Sequence, residues 1–362
     1  PAGSEVMDAA GTEAFVSFSG LDLGKGKNLG LPGAAFELRV VDEDSKINVN
    51  AAARDDTFSQ VRLIAQLSAL MAGPQYDPLF ERRDRDGNYS DRQTICAALI
   101  DWVDSKQDMT LCDPTVETAQ QMPAEDSYYE LLDVPYSRKN AAFDSLEELR
   151  RVRGVGDDFW ATFVDPDPEE PRKRTITVWG SSGAVNVNTA PPQTLLALVC
   201  SLAREGTRLC VDPLEMQKFL TLATLARMFT TGLPPFSSPK AFINLLKGKH
   251  PLLGEFMKAA GLEPIELKSE AEAEKQMSTE SKVFSIYAVG VVRSGKRESR
   301  VRTHTVVDFR NAPAPAEQTP SDASGIGVPV QQTGDTGTGG QGGIARAVAP
   351  SPSGNVIYFR ME

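Results

Sequence analysis

Histidine is almost missing from this 362-residue chain: only His250 and His304 occur, far apart in sequence. A histidine-based metal centre or acid–base pair would need those two to meet. The four cysteines, Cys96, Cys112, Cys200 and Cys210, show no C-x-x-C spacing, which argues against zinc. Cys96–Cys112 with Cys200–Cys210 is the local disulfide pairing; reduced, buried thiols are the other reading, and the compartment decides between them. No apolar run approaches the roughly 18 residues of a spanning helix, and the opening PAGSEVMDAAGTEAF lacks a signal-peptide pattern. Either the protein is naturally soluble or an N-terminal anchor is absent from this sequence. No Ser/His/Asp or Cys/His set, phosphate loop or cofactor fingerprint is present, so an enzyme is not expected.

What is there is acid. The net charge is -11, from 38 basic and 49 acidic side chains. Nucleic acid and anionic membranes are bound mainly through Lys and Arg, so neither is expected as the main partner. The length allows two or three cores.

Ala34–Val41 alternates as a strand, Asp42–Ser45 reads as a turn, and Lys46–Asn50 reads as a short second strand. Phe58, Val61, Ile64, Leu67 and Met71 keep helical spacing up to Gly73-Pro74. A helix is expected over Ile95–Val103 and a short one over Ser127–Leu132. Ser145-Leu146-Glu147-Glu148 has the form of a capping box, Leu146, Leu149 and Val152 form a buried face, and Gly154 suits a left-handed stop. Ala184–Ala190 repeats the pattern of Lys46–Ala52, a strand x-I/V-N-V-N-x-A running into an apolar helix. Two related helical subdomains follow from that repeat. Helices are expected near Leu214–Met228, Pro239–Leu246 and Leu252–Ala260, a charged linker over Glu266–Ser278, and a hairpin of Lys282–Arg293 with Ser299–Phe309. On its second strand Arg300, Arg302 and His304 read as a solvated face. Residues 311–354 are rich in Pro, Gly, Ser and Thr and are expected to be disordered, with 355–362 returning as a short strand.

The densest chemistry lies between Ala98 and Gly156. Asp101, Asp104, Asp108, Asp113, Glu125 and Asp126 gather around one loop between two helices. An all-oxygen set of this kind suits calcium; the alternative is a solvated face with the carboxylates pointing apart. Asp84–Asn88 starts like a calcium loop but lacks the glycine and glutamate of an EF-hand. Tyr128 and Tyr129 read as core side chains with hydroxyl anchors. Leu149–Gly156 looks like a helix-hairpin-helix turn, whose Gly-Val-Gly amides could meet a phosphate in a competence-type DNA-binding protein. The overall charge, and Asp157-Asp158 directly after the turn, favour a packing role instead.

Together these segments resemble a known family. Val41-Asp42-Glu43 with Lys46–Asn50, Leu99–Asp104, Ala124–Tyr129, Pro135-Tyr136, Asn140–Phe143, Ser145–Leu149 and Val187–Pro191 come in the order of the K-type minor pseudopilins of type II secretion systems. The resemblance runs from about residue 36 to 310. It implies an α+β fold: a pilin-like antiparallel sheet domain with a large α-helical insertion of two SAM-like, helix-hairpin-helix-like subdomains. The expected parts are residues 1–50 and 276–310 for the body, with strands near 174–189 able to join it, then 51–173 and 174–275 for the helical subdomains. It also implies a non-enzymatic subunit in the periplasm, anchored in the inner membrane by an N-terminal helix outside this sequence. Such a subunit caps the pseudopilus through I- and J-type minor pseudopilins, with secreted cargo or the outer-membrane channel as further contacts and no nucleic acid. The family binds calcium in the insertion. The implied ligands here are Asp104, Glu125 and Asp126, with Asp101 and Asp108 beside them.

Overall fold

The computed structural model describes residues 34–54, 56–81, 83, 89–106, 109–112, 126–229, 234–251, 253–295, 297–312 and 354–361. Its strands are β1 (Ala34–Asp42), β2 (Ile47–Asn48), β3 (Ile176–Thr177), β4 (Val185–Asn186), β5 (Met277–Ser278), β6 (Val283–Ser294), β7 (Arg297–Asp308) and β8 (Asn355–Met361). The runs that alternate at period two form one antiparallel sheet in the order β1-β6-β7-β8. Ser294 pairs with Arg297 across the β6–β7 hairpin, and Gly295 takes the left-handed conformation (φ 61°) that so tight a turn requires. The closing segment does return as a strand, on the β7 edge.

β1 and β6 are sheet neighbours, Asp42 opposite Phe284, although some 240 residues separate them in sequence. Between them the chain makes two excursions. The first leaves through β2 and comes back through β3, paired in parallel (Ile47 with Ile176). The second leaves through β4 and comes back through β5, again in parallel (Val185 with Met277).

The repeated asparagines explain why both necks look alike. Asn48 accepts the Asn50 amide at 3.1 Å, and Asn186 accepts the Asn188 amide at 3.0 Å. Asn50 then accepts the Phe143 amide at 2.8 Å and donates to the carbonyls of Phe143 and Val178. Asn188 does the same with the Phe236 amide at 2.9 Å and the carbonyls of Phe236 and Thr279. Each side chain ties the ingoing strand to a distant loop and to the outgoing strand. No other residue of this size offers both donors and an acceptor in one plane with so short a reach.

Each excursion holds its own core. Leu63, Leu67, Leu99, Ile100, Trp102, Phe143, Leu149 and Phe163 are buried in the first, and Leu198, Val199, Phe219, Phe242, Ile243 and Leu246 in the second. One disulfide lies in each, Cys96–Cys112 and Cys200–Cys210, the local pairing. Helix starts follow ordinary capping: Asp56 caps Thr57–Met71, Asp91 caps Arg92–Asp101, and Ser238 with Pro239 opens Pro239–Leu246.

Four local expectations fail, each for a visible reason. On Thr57–Met71 the buried stripe runs through Gln60, Leu63, Gln66, Leu67 and Leu70, leaving Phe58 74% and Val61 57% exposed. The two glutamines go inward because their amides meet Asp104 and Gln276 there. Ser145 makes no cap; Glu148 reaches instead to the Asp144 amide at 2.9 Å and accepts the Trp102 indole N–H. The expected linker at 266–278 holds the helix Glu270–Gln276, capped by Ser269 and packed through the fully buried Ala273, and then β5. His304 is not solvated: it stacks on Tyr287 at 4.2 Å and meets Trp179 and Tyr358. The expected disorder of 311–354 falls almost wholly outside the described residues.

Candidate functional site

Two polar centres are candidates. One was legible as chemistry in the sequence, and the other was hidden in what reads as a turn.

The first is the acidic loop after the helix Arg92–Asp101. That helix carries Ile95, Leu99 and Ile100 into the core, so Asp101 and Asp104 are drawn in behind them, 5% and 0% exposed. Asp101 accepts the Thr110 amide at 2.9 Å, and Asp104 accepts the Gln60 side-chain amide at 3.3 Å. Asp126 accepts both the backbone and the Nε of Arg138. The Arg138 guanidinium also donates to the carbonyls of Asp101 and Lys106, at 2.8 and 3.1 Å. Arg138 therefore ties Asp126 to the backbone at Asp101 and Lys106. Burial pushes the Asp101 carboxyl up to about 6, with the neighbouring Asp104 adding to the shift.

Asp108 and Glu125, like Asp113 and the Asp84–Asn88 segment, lie outside the described residues. Among the described residues no group of three or more His, Cys, Asp or Glu side chains closes on one point. The donors are nonetheless all oxygen, and three carboxylates outnumber the single guanidinium among them. Of these, Asp101 and Asp104 are buried and Asp126 is partly exposed, and carboxylate oxygens of this kind are the ligands a hard cation takes.

The aromatic cluster beside the loop is structural. Trp102 stacks on Phe143, Tyr129 is buried with its hydroxyl accepting the Arg153 amide, and the Tyr136 hydroxyl donates to the Arg151 carbonyl. The Gly-Val-Gly turn faces the core too. Val155 is buried, and a Cβ on Gly154 (φ 81°) would lie 2.4 Å from Ile95. Arg150 pairs with Asp157. The helix-hairpin-helix DNA-binding reading finds no support in this geometry.

The second centre is Asp42-Glu43-Asp44-Ser45-Lys46, read from the sequence as a turn. It is a turn, but a buried one. Glu43 and Lys46 form an ion pair at 2.7 Å with both side chains 0% exposed. Glu43 also accepts the hydroxyls of Thr177 and Ser285. Burial would push its carboxyl up, but Lys46 and the hydroxyls more than offset that and hold it below the usual range. Asp42 accepts from Asn186, Thr189 and Ser281, and Asp44 from the amides of Ser181, Lys282 and Val283. Three acidic side chains thus fasten both necks to the sheet. Only the matching Asn-x-Asn segments downstream hinted at it.

His304 borders this centre, with Nε2 3.0 Å from the Ser285 hydroxyl. Burial pulls its pKa down to about 4 from an ordinary 6.5. An unfolded chain binds that proton near 6.5 while folded His304 resists until about 4, so stability falls as pH drops through that window. The loss expected from this group is about 2 kcal/mol, reduced from the full shift for its partial exposure. Urea unfolding of His304→Gln between pH 7 and 4 checks it: the acid slope should flatten. An unchanged slope would remove His304 from the account.

An antiparallel sheet with two asparagine-clamped helical lobes inserted between neighbouring strands defines the class: a mixed α+β protein. Residues 45–163, from the buried hub through the first lobe, match the family model of the Type II secretion system (T2SS), protein K. No curated protein matches the chain. A solved chain in the crystal structure of the GspK-GspI-GspJ complex from the enterotoxigenic Escherichia coli type 2 secretion system is similar, at 16% identity and TM-score 0.44, over 77% of this chain and 76% of its own.

Proposed function

We propose that this chain is the periplasmic part of a K-type minor pseudopilin, a non-enzymatic subunit that assembles with I- and J-type minor pseudopilins and ends the pseudopilus. The observation that carries the reading is the protein K match over residues 45–163. The architecture gives it a mechanism. A repeating filament subunit must leave room for the next one, whereas here two lobes stand between β1 and β6, with cores comparable to a domain of their own. In this reading they are SAM-like, helix-hairpin-helix-like units. They block a further subunit and present a surface to secreted cargo or to the outer-membrane channel. An N-terminal helix would anchor the full-length protein in the inner membrane; among the described residues no helix is long and apolar enough to cross one.

Co-purification with I- and J-type partners at micromolar concentration tests the assembly. A stable complex is expected, and its absence at that concentration counts against the role.

Calcium belongs to the same proposal, held at the acidic loop by Asp104, Asp108, Glu125 and Asp126 with Asp101 behind them. When bound it would neutralise carboxylates that Arg138 alone leaves in excess. Calcium at about 100 times its dissociation constant should stabilise the fold by about 2.7 kcal/mol. Thermal melting with calcium and with chelator reads this out. Asp104→Asn should abolish the difference, and equal midpoints for the unaltered protein would strike the metal from the proposal.

A further inference from the structure

Paired residues on neighbouring strands share a sheet face, as do residues two apart on one strand. One face of this sheet therefore carries Arg39 beside Tyr287 and His304, and then Arg302 and Arg300 beside Val289 and Val291. This face forms the floor of a cavity of about 590 Å³, and the first lobe supplies the opposite wall through Trp160 and Pro168. Arg39, Arg174, Arg300, Arg302 and Arg360 line the cavity against Glu37, Glu147, Asp165 and Glu169, so in a chain of net charge -11 this cavity has a slight excess of cations. Most are committed: Arg39 pairs with Glu37, Arg174 with Asp165, and Arg360 with Glu147. Two are not. Arg300 has only a 3.5 Å contact with Glu298, and Arg302 makes no ion pair or hydrogen bond among the described residues.

We infer that this cavity is a docking groove for an acidic, extended segment of a partner protein. Arg300 and Arg302 stand about 7 Å apart, the repeat of alternate residues on a strand. Alternate carboxylates of an extended peptide have the same spacing, and each can take a guanidinium as a bidentate pair. Val289 and Val291 below, with Trp160 and Pro168 opposite, receive the apolar side chains between those carboxylates. The volume lies in the range of peptide and ligand pockets, roughly 300–1,000 Å³. The net negative charge of the chain disfavours binding of such a segment to the surface at large. Glu37, which pairs with Val289 on the same face, and Glu147, Asp165 and Glu169 also line the cavity, so a ligand with spaced carboxylates fits it better than a densely charged phosphate polymer. The groove is built from the sheet and first lobe and does not depend on the role proposed above.

The test is fluorescence anisotropy with a labelled, amide-capped Asp-Val-Asp-Val-Asp peptide, using Lys-Val-Lys-Val-Lys and a short oligothymidylate as comparison probes. The acidic peptide should bind saturably at about 50 mM salt and at least about tenfold more weakly at about 300 mM. R300Q/R302Q should weaken it at least about tenfold, and R300E/R302E should lose it and take up the lysine peptide, a gain that misfolding cannot produce. No saturation up to about 5 mM peptide would overturn the inference. So would equal binding by R300Q/R302Q, or tighter binding of the oligothymidylate, which would mark a site for any polyanion.

Discussion

Lys46→Ala is expected to destabilise the fold by about 3–5 kcal/mol, because it leaves the Glu43 carboxylate buried with no cation. Both side chains are 0% exposed, so no water compensates. The hydroxyls of Thr177 and Ser285 stay, but neutral donors do not replace a charge. Part of the loss should return on acidification. Without the lysine, burial raises the Glu43 pKa, and protonation below that value removes the uncompensated charge. Lys46→Met with Glu43→Gln should recover most of the stability, since uncharged partners of similar volume need no ion pair. Denaturant unfolding at pH 7 and 5 separates these cases. A Lys46→Ala loss under about 1 kcal/mol at pH 7 would show that the pair does not hold the hub.

Asn50→Ala and Asn188→Ala should each lower stability by about 2–4 kcal/mol. Each leaves one amide and two carbonyls without their partner, and buried orphans cost about 1–3 kcal/mol apiece before any relaxation. The two losses should be similar, because the bonding of Asn50 to Phe143 and Val178 matches that of Asn188 to Phe236 and Thr279. Hydrogen exchange adds what stability alone cannot. Asn50→Ala should expose the Phe143 amide with less effect at Phe236, and Asn188→Ala should do the reverse. Equal loss of protection at both amides in either variant would mean that the two lobes open as one unit.

The sheet and necks were legible where pattern is local. The 283–308 hairpin, the strand at 34–42 and the helix Pro239–Leu246 announce themselves through period and punctuation. The x-N-V-N repeat was legible as well, since the same side-chain chemistry serves each neck. What failed was orientation. Phe58 and Val61 look like core and Gln60 and Gln66 like surface, until the partners of the glutamines are known, 44 and 210 residues away. The Asp42–Lys46 hub failed for the same reason: its long-range side-chain bonds run 134 to 242 residues along the chain, and five polar residues together read as solvent-facing. The acidic loop was legible by composition. The place of Arg138 among its carboxylates was not, because a guanidinium 37 residues from Asp101 looks like one more basic side chain in a mixed stretch.

Because each lobe departs and returns through adjacent, parallel strands, its two ends lie one strand spacing apart, roughly 5 Å. Whatever happens to length or sequence beyond that crossing leaves the register of β1 against β6 untouched. Loops inside a lobe can therefore change length without disturbing the body, whereas loss of a whole lobe would strip its neighbour of partners such as Gln66 for Gln276, and the seven-residue signature marks where each lobe leaves the body.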